Sequence, residues 1–403
     1  MPVLHNISQL ATCPADTPQD DAGLICNAAL AWAGESIQWV GPCQDLPQQY
    51  RNEKVIDCEQ KLVIPGLVDC HTHLCFGGWR GDEFALRLKG ASYQEIAASG
   101  GGIASTVAAT RGASLGKLQR KAQQALDGML SLGVTTVECK SGYGLDEANE
   151  LKQLEVYRRL NEAHKVDLIP TFLGAHIIPA EHQADRDRYI NMLCEVLIPR
   201  IAQLKLAQFC DAFVEEGAFT VAEARKILST AQNHGLGVKV HADQLSDGGG
   251  AALAAELGAV SAEHLEYISD SGIDALSLAG TVAVSLPLAS LYLGEPYLPA
   301  RKLLDSGVPV AVASDFNPGS APSYHLPLAM TLACLNQRMT PQESLKGATT
   351  VAARAISANS RIGSLMPGYQ ADLAIIDSPS LNHWLYHFQP NGCAGVLKRG
   401  EWV

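Results

Sequence analysis

The sequence predicts an α/β protein: a (β/α)8 barrel with a small β-sandwich domain formed from both chain termini. Strand-like and helix-like segments alternate along the middle of the chain. Eight apolar runs there lack strict alternation, which is typical of strands covered on both faces of a parallel sheet. The two ends instead resemble short strands joined by Gly and Pro turns. The predicted domains are a barrel over residues 62–359 and a composite β domain from residues 1–61 and 360–403.

The eight predicted barrel strands are rich in Val, Ala and Ile and are separated by helical patterns, several of which end at a glycine. A doubly wound open sheet is the alternative fold, but no G-x-G-x-x-G fingerprint follows the first strand. Each terminus is too short to form a good sheet core, so we expect the two to pair with each other. The predicted strands cover residues 62–71, 133–142, 166–176, 207–216, 237–243, 258–264, 280–287 and 308–315.

Composition and charge exclude several classes of protein. The net charge is -12 and no basic run occurs, so nucleic acid and anionic membranes are disfavoured as partners. Residues 1–16 lack a signal-peptide pattern, and no apolar run is long enough to span a bilayer. Eleven cysteines without a Cys-x-x-Cys pair predict reduced thiols. We therefore expect a cytoplasmic protein with a small-molecule substrate, and the low charged fraction of 18% is compatible with a homodimer.

Histidine and acidic side chains stand at the carboxyl ends of five predicted strands, where a (β/α)8 barrel places its active site. The first two histidines are at positions i and i+2, which share one face of a strand. The residues are His71 and His73 after the first strand, His176 after the third, His241 after the fifth, His264 after the sixth and Asp315 after the eighth.

Three imidazoles and one carboxylate at a barrel mouth suit zinc or iron, with a position left for water. Such an ion lowers the pKa of its water from about 15.7 to about 7. Asp315 would bind the metal or lie beside it and pass the water proton to a leaving nitrogen, while His264 would hold the hydroxide or the oxyanion. Which of these two residues carries the decisive proton stays open. A single buried histidine is usually structural, but their convergence at several strand ends favours a catalytic site.

Several motifs resemble the metal-dependent amidohydrolase superfamily over nearly the whole chain. They are PGLVDCHTH, His241, His264, the pair Ser314-Asp315 and the C-terminal PGYQADLAIID. Within that superfamily, five blocks in order resemble the imidazolonepropionase family, the ring-opening enzymes of histidine breakdown. The blocks are HLCFGGWRGDEFALRLKGASYQEIAASGGGI, ECKSGYGL, PTFLGAHIIP, KVHADQLSDGGG and SDFNPGS.

The resemblance implies hydrolysis of 4-imidazolone-5-propanoate to N-formimidoyl-L-glutamate with one zinc or iron ion per subunit. Its metal ligands fall on His71, His73, His241 and Asp315. A forked guanidinium such as that of Arg80 suits the substrate carboxylate. The substrate contacts implied by the family fall on Arg80, Tyr93, Tyr143, His176, Gln244, Asn317, Gly319 and Ser320.

Two positions depart from related patterns. Gln244 stands where some family members have a glutamate, and an amide cannot shuttle protons, so proton transfer is expected at Asp315 or His264. Two-metal amidohydrolases carry a bridging lysine after strand four, whereas this chain has Val214-Glu215-Glu216. One metal is therefore predicted, with Glu215 leaving a second one open.

Other interpretations compete with this one. The same scaffold supports a nucleobase or guanine-like deaminase, which Gln244 disfavours, and hydrolases of other cyclic amides such as hydantoins. A binding protein built on an inactive barrel would have lost its ligands. Arg80 beside Asp82 and Glu83 would then be only a surface ion pair, and the tyrosines packing aromatics. The Gly100–Gly102 triplet is expected to act as a lid over the mouth rather than as a phosphate cradle.

Overall fold

The computed structural model describes residues 1–51, 53–90, 100–387 and 389–403. Two eight-stranded sheets contain its sixteen described strands. In chain order these are β1 Val3–Ala11, β2 Leu24–Ala33, β3 Ser36–Pro42, β4 Val55–Asp57, β5 Leu62–Pro65, β6 Leu67–Asp69, β7 Val134–Lys140, β8 Asp167–Ala175, β9 Phe209–Val214, β10 Gly237–Ala242, β11 Ser261–His264, β12 Val282–Ser285, β13 Val310–Val312, β14 Leu373–Ile376, β15 Cys393–Lys398 and β16 Glu401–Trp402.

Helices follow most of the barrel strands and cover the outside of the barrel. Their apolar faces are buried, and several begin at a capping side chain, such as Ser114 or Thr220. The described α-helices are Gly81–Leu88, Ile103–Gly112, Leu115–Ser131, Glu147–Ala163, Arg186–Met192, Ile198–Gln203, Val221–Asn233, Gly250–Glu256, Asp270–Ala279, Pro287–Leu293, Ala300–Asp305, Leu326–Gln337, Pro341–Gly347, Thr350–Arg354 and Leu381–Tyr386.

The second sheet is the predicted parallel barrel, with β6 to β13 paired in chain order. Its first and last strands meet just beyond their carboxyl ends through a parallel bridge between Thr72 and Phe316. The amide of His73 donates to the carbonyl of Phe316 at 2.9 Å, and the amide of Asp315 donates to the carbonyl of His71 at 3.1 Å. The barrel therefore closes at the residues that the sequence predicts as metal ligands, and the open-sheet alternative is wrong.

The predicted first strand, residues 62–71, is in fact two strands. β5 pairs with β1 and β14 in the terminal sheet, and only β6 joins the barrel. Gly66 separates them and packs so closely on Thr135 that a Cβ there would overlap its side chain. Both strands are wholly buried, so their apolar sequence is continuous across the division. The terminal sheet therefore extends to residue 65.

Both chain ends contribute to the small β domain, as predicted. Its sheet has the order β16-β15-β14-β5-β1-β2-β3, with β4 paired to β1. Leu4 and Leu30 from the N-terminal part pack with Leu373 and Leu397 from the C-terminal part in one apolar core. The helix Leu381–Tyr386 lies within a region that we expected to contain only strands.

All eleven cysteines lie among the described residues, and each is a free thiol. Seven of them are buried, including Cys70, Cys75, Cys139 and Cys210 at 0% exposure, which suits a thiol acting as a small apolar side chain. Across the described part of the chain, every helix is too short or too polar to cross a membrane.

Candidate active site

A cavity of about 590 Å³ opens at the carboxyl ends of the barrel strands. Most of the residues predicted for the site line it, and His71 lies beneath it, fully buried. Tyr93 lies outside the described residues. The predicted residues that line the cavity are His73, Arg80, Tyr143, His176, His241, Gln244, His264, Asp315, Asn317, Gly319 and Ser320.

The four predicted metal ligands gather around one point. Nε2 of His71 lies 3.3 Å from Oδ1 of Asp315, and Nε2 of His73 lies 3.5 Å from the same oxygen. The rings of His71 and His241 are 4.6 Å apart between centroids. Ligand atoms of His71, His73 and Asp315 all lie within 4.8 Å of one another, and those of His71, His241 and His264 do as well.

The chemistry of these side chains fits a metal ion. Nε2 of His71, Nε2 of His241 and Oδ1 of Asp315 are buried and have no hydrogen-bond partner. Leaving such atoms unpaired costs about 1–3 kcal/mol each, so the arrangement calls for a cation that satisfies them together. Nitrogen ligands with one carboxylate oxygen suit zinc or iron.

Two buried carboxylates face the other ring nitrogens of these histidines. Nδ1 of His71 lies 2.8 Å from Oε2 of Glu263, and Nδ1 of His241 lies 2.9 Å from Oδ2 of Asp211. A histidine that donates through Nδ1 presents Nε2 as a ligand lone pair, which is how outer carboxylates orient metal-binding imidazoles.

A layer of buried charges lies below the ligands. Nζ of Lys140 is 2.9 Å from an oxygen of each of Glu138, Asp211 and Glu263, and Nζ of Lys239 is 2.7 Å from Glu263. All five side chains are fully buried. The sequence analysis did not predict this layer. Its signal in the sequence was the presence of charged residues within several otherwise apolar strands.

The pKa values of the site reflect burial and these charges. Without a bound cation, burial lowers the pKa of His71, but attraction to the carboxylates of Glu263 and Asp315 outweighs burial and raises the pKa to about 9. A metal ion on Nε2 would displace that proton. Burial, helped by nearby His241, lowers the pKa of His176 to about 4. Burial raises the pKa of Asp315, but close approach to His71 outweighs burial, so the net direction is down.

Arg80 is held at the rim by an ion pair that is largely shielded from solvent. Its Nε donates to Oε2 of Glu83 at 2.8 Å, and the two side chains are only 13% and 15% exposed. Oε1 of Glu83 accepts from the amide of Gly102 at 3.0 Å and from Ser105 at 3.1 Å. Glu83 therefore links Arg80 to the end of the glycine triplet, and among the described residues its ion pair uses only Nε of Arg80.

The loop after β13 is shaped by Asn317. Its Nδ2 donates to the carbonyl of Asp315 at 2.7 Å, and its Oδ1 accepts from the amides of Gly319 and Ser320 at 2.7 and 2.8 Å. Asp315 has a φ of 54° and His264 has a φ of 77°, in the left-handed region that non-glycine residues rarely adopt. Strained backbone thus occurs at both residues predicted to handle protons.

Glu215 does not reach the cluster of metal ligands. Its carboxylate accepts from the amide of Leu245 at 2.9 Å and from Ser246. It belongs to none of the candidate ligand groups among the described residues. Glu215 therefore anchors the loop that begins beside Gln244.

Comparisons with known proteins agree with this geometry. Residues 62–403 match the amidohydrolase family. The imidazolonepropionase of Symbiobacterium thermophilum is 48% identical over 388 residues, which cover 95% of this chain and 91% of that protein. The imidazolonepropionase of Alkaliphilus metalliredigens is 47% identical over 411 residues, covering 100% of this chain and 97% of that protein.

Solved structures share the fold at low sequence identity. A zinc-bound adenosine deaminase from Xanthomonas campestris has a TM-score of 0.72 at 18% identity, covering 100% of this chain and 92% of that one. The zinc complex of atrazine chlorohydrolase from Arthrobacter aurescens has a TM-score of 0.69 at 16% identity, covering 100% and 95%. The chain belongs to the amidohydrolase family. Within it, the chain groups with the imidazolonepropionases.

Proposed function

We propose that the protein is an imidazolonepropionase, which opens the ring of 4-imidazolone-5-propanoate by hydrolysis to give N-formimidoyl-L-glutamate. The observation that carries this proposal is the convergence of His71, His73, His241 and Asp315 beneath a cavity lined by Arg80. Full-length similarity to imidazolonepropionases supports the choice of substrate.

One zinc or iron ion per subunit would be held by His71, His73, His241 and Asp315. When bound, the ion supplies water activated at neutral pH and polarises the ring carbonyl. The orphaned Nε2 and Oδ1 atoms support this assignment. Glu263 and Asp211 would keep His71 and His241 in the tautomer that presents Nε2.

The rim residues would orient the substrate. The guanidinium of Arg80, whose Nε is paired with Glu83, can grip the propanoate carboxylate through its Nη atoms in a charge-assisted pair. With its pKa lowered to about 4, His176 is neutral at pH 7 and can accept a ring N–H, while Gln244 offers both a donor and an acceptor. The remaining proposed substrate contacts are Tyr93, Tyr143, Asn317, Gly319 and Ser320.

Asp315 and His264 would move the protons. The lowered pKa of Asp315 keeps it a carboxylate, ready to take a proton from the attacking water and deliver it to the ring nitrogen as the C–N bond breaks. His264, whose Nδ1 lies 3.5 Å from Oε1 of Glu266, would stabilise the developing oxyanion through a hydrogen bond. A nucleobase deaminase is disfavoured because Gln244 cannot protonate a ring nitrogen.

The assay follows the absorbance of freshly prepared 4-imidazolone-5-propanoate with the wild type, Asp315→Ala and Arg80→Ala. The wild type should be active, Asp315→Ala should lose at least about 10³-fold in kcat, and Arg80→Ala should raise KM at least tenfold. Arg225→Ala, which breaks an exposed ion pair with Glu256, is the matched control and should leave both constants unchanged.

A metal-loaded wild type without activity on this substrate would overturn the proposed function. Elemental analysis after loading with zinc or iron separately should give one ion per subunit and shows which ion supports turnover. We also propose that the enzyme acts in the cytoplasm. We further propose that it is a homodimer, and analytical ultracentrifugation tests this oligomeric state.

A further inference from the structure

Glu150 is a fully buried carboxylate that the proposed chemistry does not use. It lies in the first turn of the helix Glu147–Ala163, behind the loop that follows β7. Taking a carboxylate out of water is costly unless hydrogen bonds compensate it. The hydrogen bonds that compensate the burial of Glu150 therefore indicate what this side chain does in the fold.

The partners of Glu150 are backbone amides of one loop, residues 141–145, which we call the rim loop. Oε1 accepts from the amides of Gly144 and Leu145 at 2.8 Å each, and both carboxylate oxygens lie 3.2 Å from the amide of Gly142. One side chain thus fixes three peptide units, and Gly144 packs directly on the helix backbone at Asn149 and Glu150. Arg111 holds the carbonyls of Gly144 and Leu145 at 2.7 and 3.1 Å, so Glu150 is the partner of the loop's amides and Arg111 the partner of its carbonyls.

The rim loop in turn determines how His176 faces the cavity. The carbonyl of Gly142 lies 3.0 Å from Nδ1 of His176, so this nitrogen donates and Nε2 is left as an acceptor. A Cβ at Gly142 would approach Nδ1 of His176 to 3.2 Å, so the loop and the ring are in close contact. The same loop carries Tyr143, whose ring centroid is 5.4 Å from that of His176.

A second buried side chain connects the rim loop to the metal side of the cavity. Oε1 of Gln153 accepts from the amide of Tyr143 at 3.2 Å, and its Nε2 donates to the carbonyl of Cys75 at 2.6 Å. Cys75 is two residues beyond His73, in the segment that follows β6. The position of the rim loop is therefore fixed both by Glu150 and by the segment that carries His73.

We propose that Glu150 is a positioning residue: it fixes the rim loop so that the carbonyl of Gly142 selects the tautomer of His176 that accepts a hydrogen bond from the substrate ring. This inference rests on the proposed function for the identity of the substrate. Glu150 touches neither substrate nor metal and acts only through the loop.

The first test is Glu150→Gln, which keeps the shape but places an amide N–H group among backbone N–H donors. KM for 4-imidazolone-5-propanoate should rise at least tenfold, kcat should fall less than threefold, and bound metal should stay at the wild-type level. Glu343→Gln is the matched control: Glu343 is also buried and also accepts a backbone amide, from Thr340 at 2.7 Å, but it does not line the cavity. Its melting temperature should fall while KM stays unchanged.

A double-mutant cycle with His176→Ala separates positioning from general destabilisation. If Glu150 acts through His176, the double variant should have a KM within twofold of that of His176→Ala alone. Any of three results would overturn the proposal. Glu150→Gln could have the KM of the wild type, Glu343→Gln could raise KM as much as Glu150→Gln does, or the effects of the two substitutions on KM could multiply fully in the double variant.

Gly142→Ala tests the same connection should Glu150→Gln not fold. Its methyl group would lie 2.8 Å from the carbonyl oxygen of Leu173 and 3.2 Å from Nδ1 of His176, at a φ of 107°, so the loop and the ring should shift and KM should rise; a wild-type KM would overturn the proposal. A wild type that does not turn over the substrate refutes the proposed function instead, so the two failures are distinct.

Discussion

Gly319 leaves the space that the guanidinium of Arg80 occupies. A Cβ at position 319 would overlap Nη1 of Arg80 and lie 2.9 Å from its Cζ. Arg80 is also tied through Nε to Glu83, so it has little freedom to withdraw. The glycine therefore determines where the positive charge of the rim lies.

Gly319→Ala should raise KM by about tenfold or more and change kcat little, because it displaces Arg80 from the carboxylate without touching the metal ligands. Steady-state kinetics on the metal-loaded protein measures this. Gly112→Ala is the control, since a Cβ there meets nothing within 4 Å, and it should behave like the wild type. An unchanged KM for Gly319→Ala would show that Arg80 does not bind the substrate.

Gln244→Leu should raise KM by roughly 10–100-fold, because the buried polar groups of the substrate would lose a partner worth about 1–3 kcal/mol. The acidic and basic limbs of the kcat profile against pH should stay in place, because the amide carries no proton. Leu278→Ala, at a position that is 90% exposed and outside the cavity, is the control and should leave KM within about twofold. A shifted pH profile for Gln244→Leu would assign it a part in proton transfer.

Lys140→Met should destabilise the protein by about 3–5 kcal/mol, because it removes the cation that three buried carboxylates share. Urea unfolding of the metal-free protein, with the midpoint read at constant m-value, measures the loss. Lys302→Met, which breaks an exposed ion pair with Asp270, should cost no more than about 1 kcal/mol. A loss of similar size in both variants would show that the buried charges contribute no more to the free energy of unfolding than an exposed ion pair does.

Much of the fold was predictable because its causes are local. Fully buried parallel strands show as apolar runs, and the ligand histidines stand at their ends, so the barrel and the position of His71, His241 and Asp315 followed from the sequence. The division of residues 62–71 did not, because two buried strands in different sheets have the same apolar pattern and only Gly66 interrupts them.

The parts of the site that depend on distant pairing were not predictable. Glu263 faces His71 from a strand almost two hundred residues further along the chain, and Glu83 in the helix Gly81–Leu88 reaches forward to the amide of Gly102. Such contacts form only when the barrel closes, and the hydrophobic periodicity of the sequence does not show which distant residues then meet.

Asp69 provides a pH test of that closure. Its carboxylate accepts from the amide of Ser314 at 3.1 Å and from the Ser314 hydroxyl at 2.5 Å, joining the first and last barrel strands. Burial raises the pKa of Asp69 from 3.8 to about 6, although the hydrogen bonds from Ser314 oppose this. Between those two values the native protein binds a proton that the unfolded chain has released, so the wild type loses stability as pH rises through this window.

Asp69→Asn keeps the same shape and cannot ionise. Its free energy of unfolding in the metal-free protein, relative to the wild type, should therefore increase by about 2 kcal/mol between pH 4 and pH 7, with most of the change complete near pH 6. Asp57→Asn is a control with a lower pH window: hydrogen bonds from the Glu59 amide and Asn6 lower the pKa of Asp57 below 3.8, so its relative stability should fall as pH rises to about 4 and stay nearly constant from there to pH 7. A difference for Asp69→Asn that does not vary with pH would mean that Asp69 stays ionised at the strand junction throughout this range.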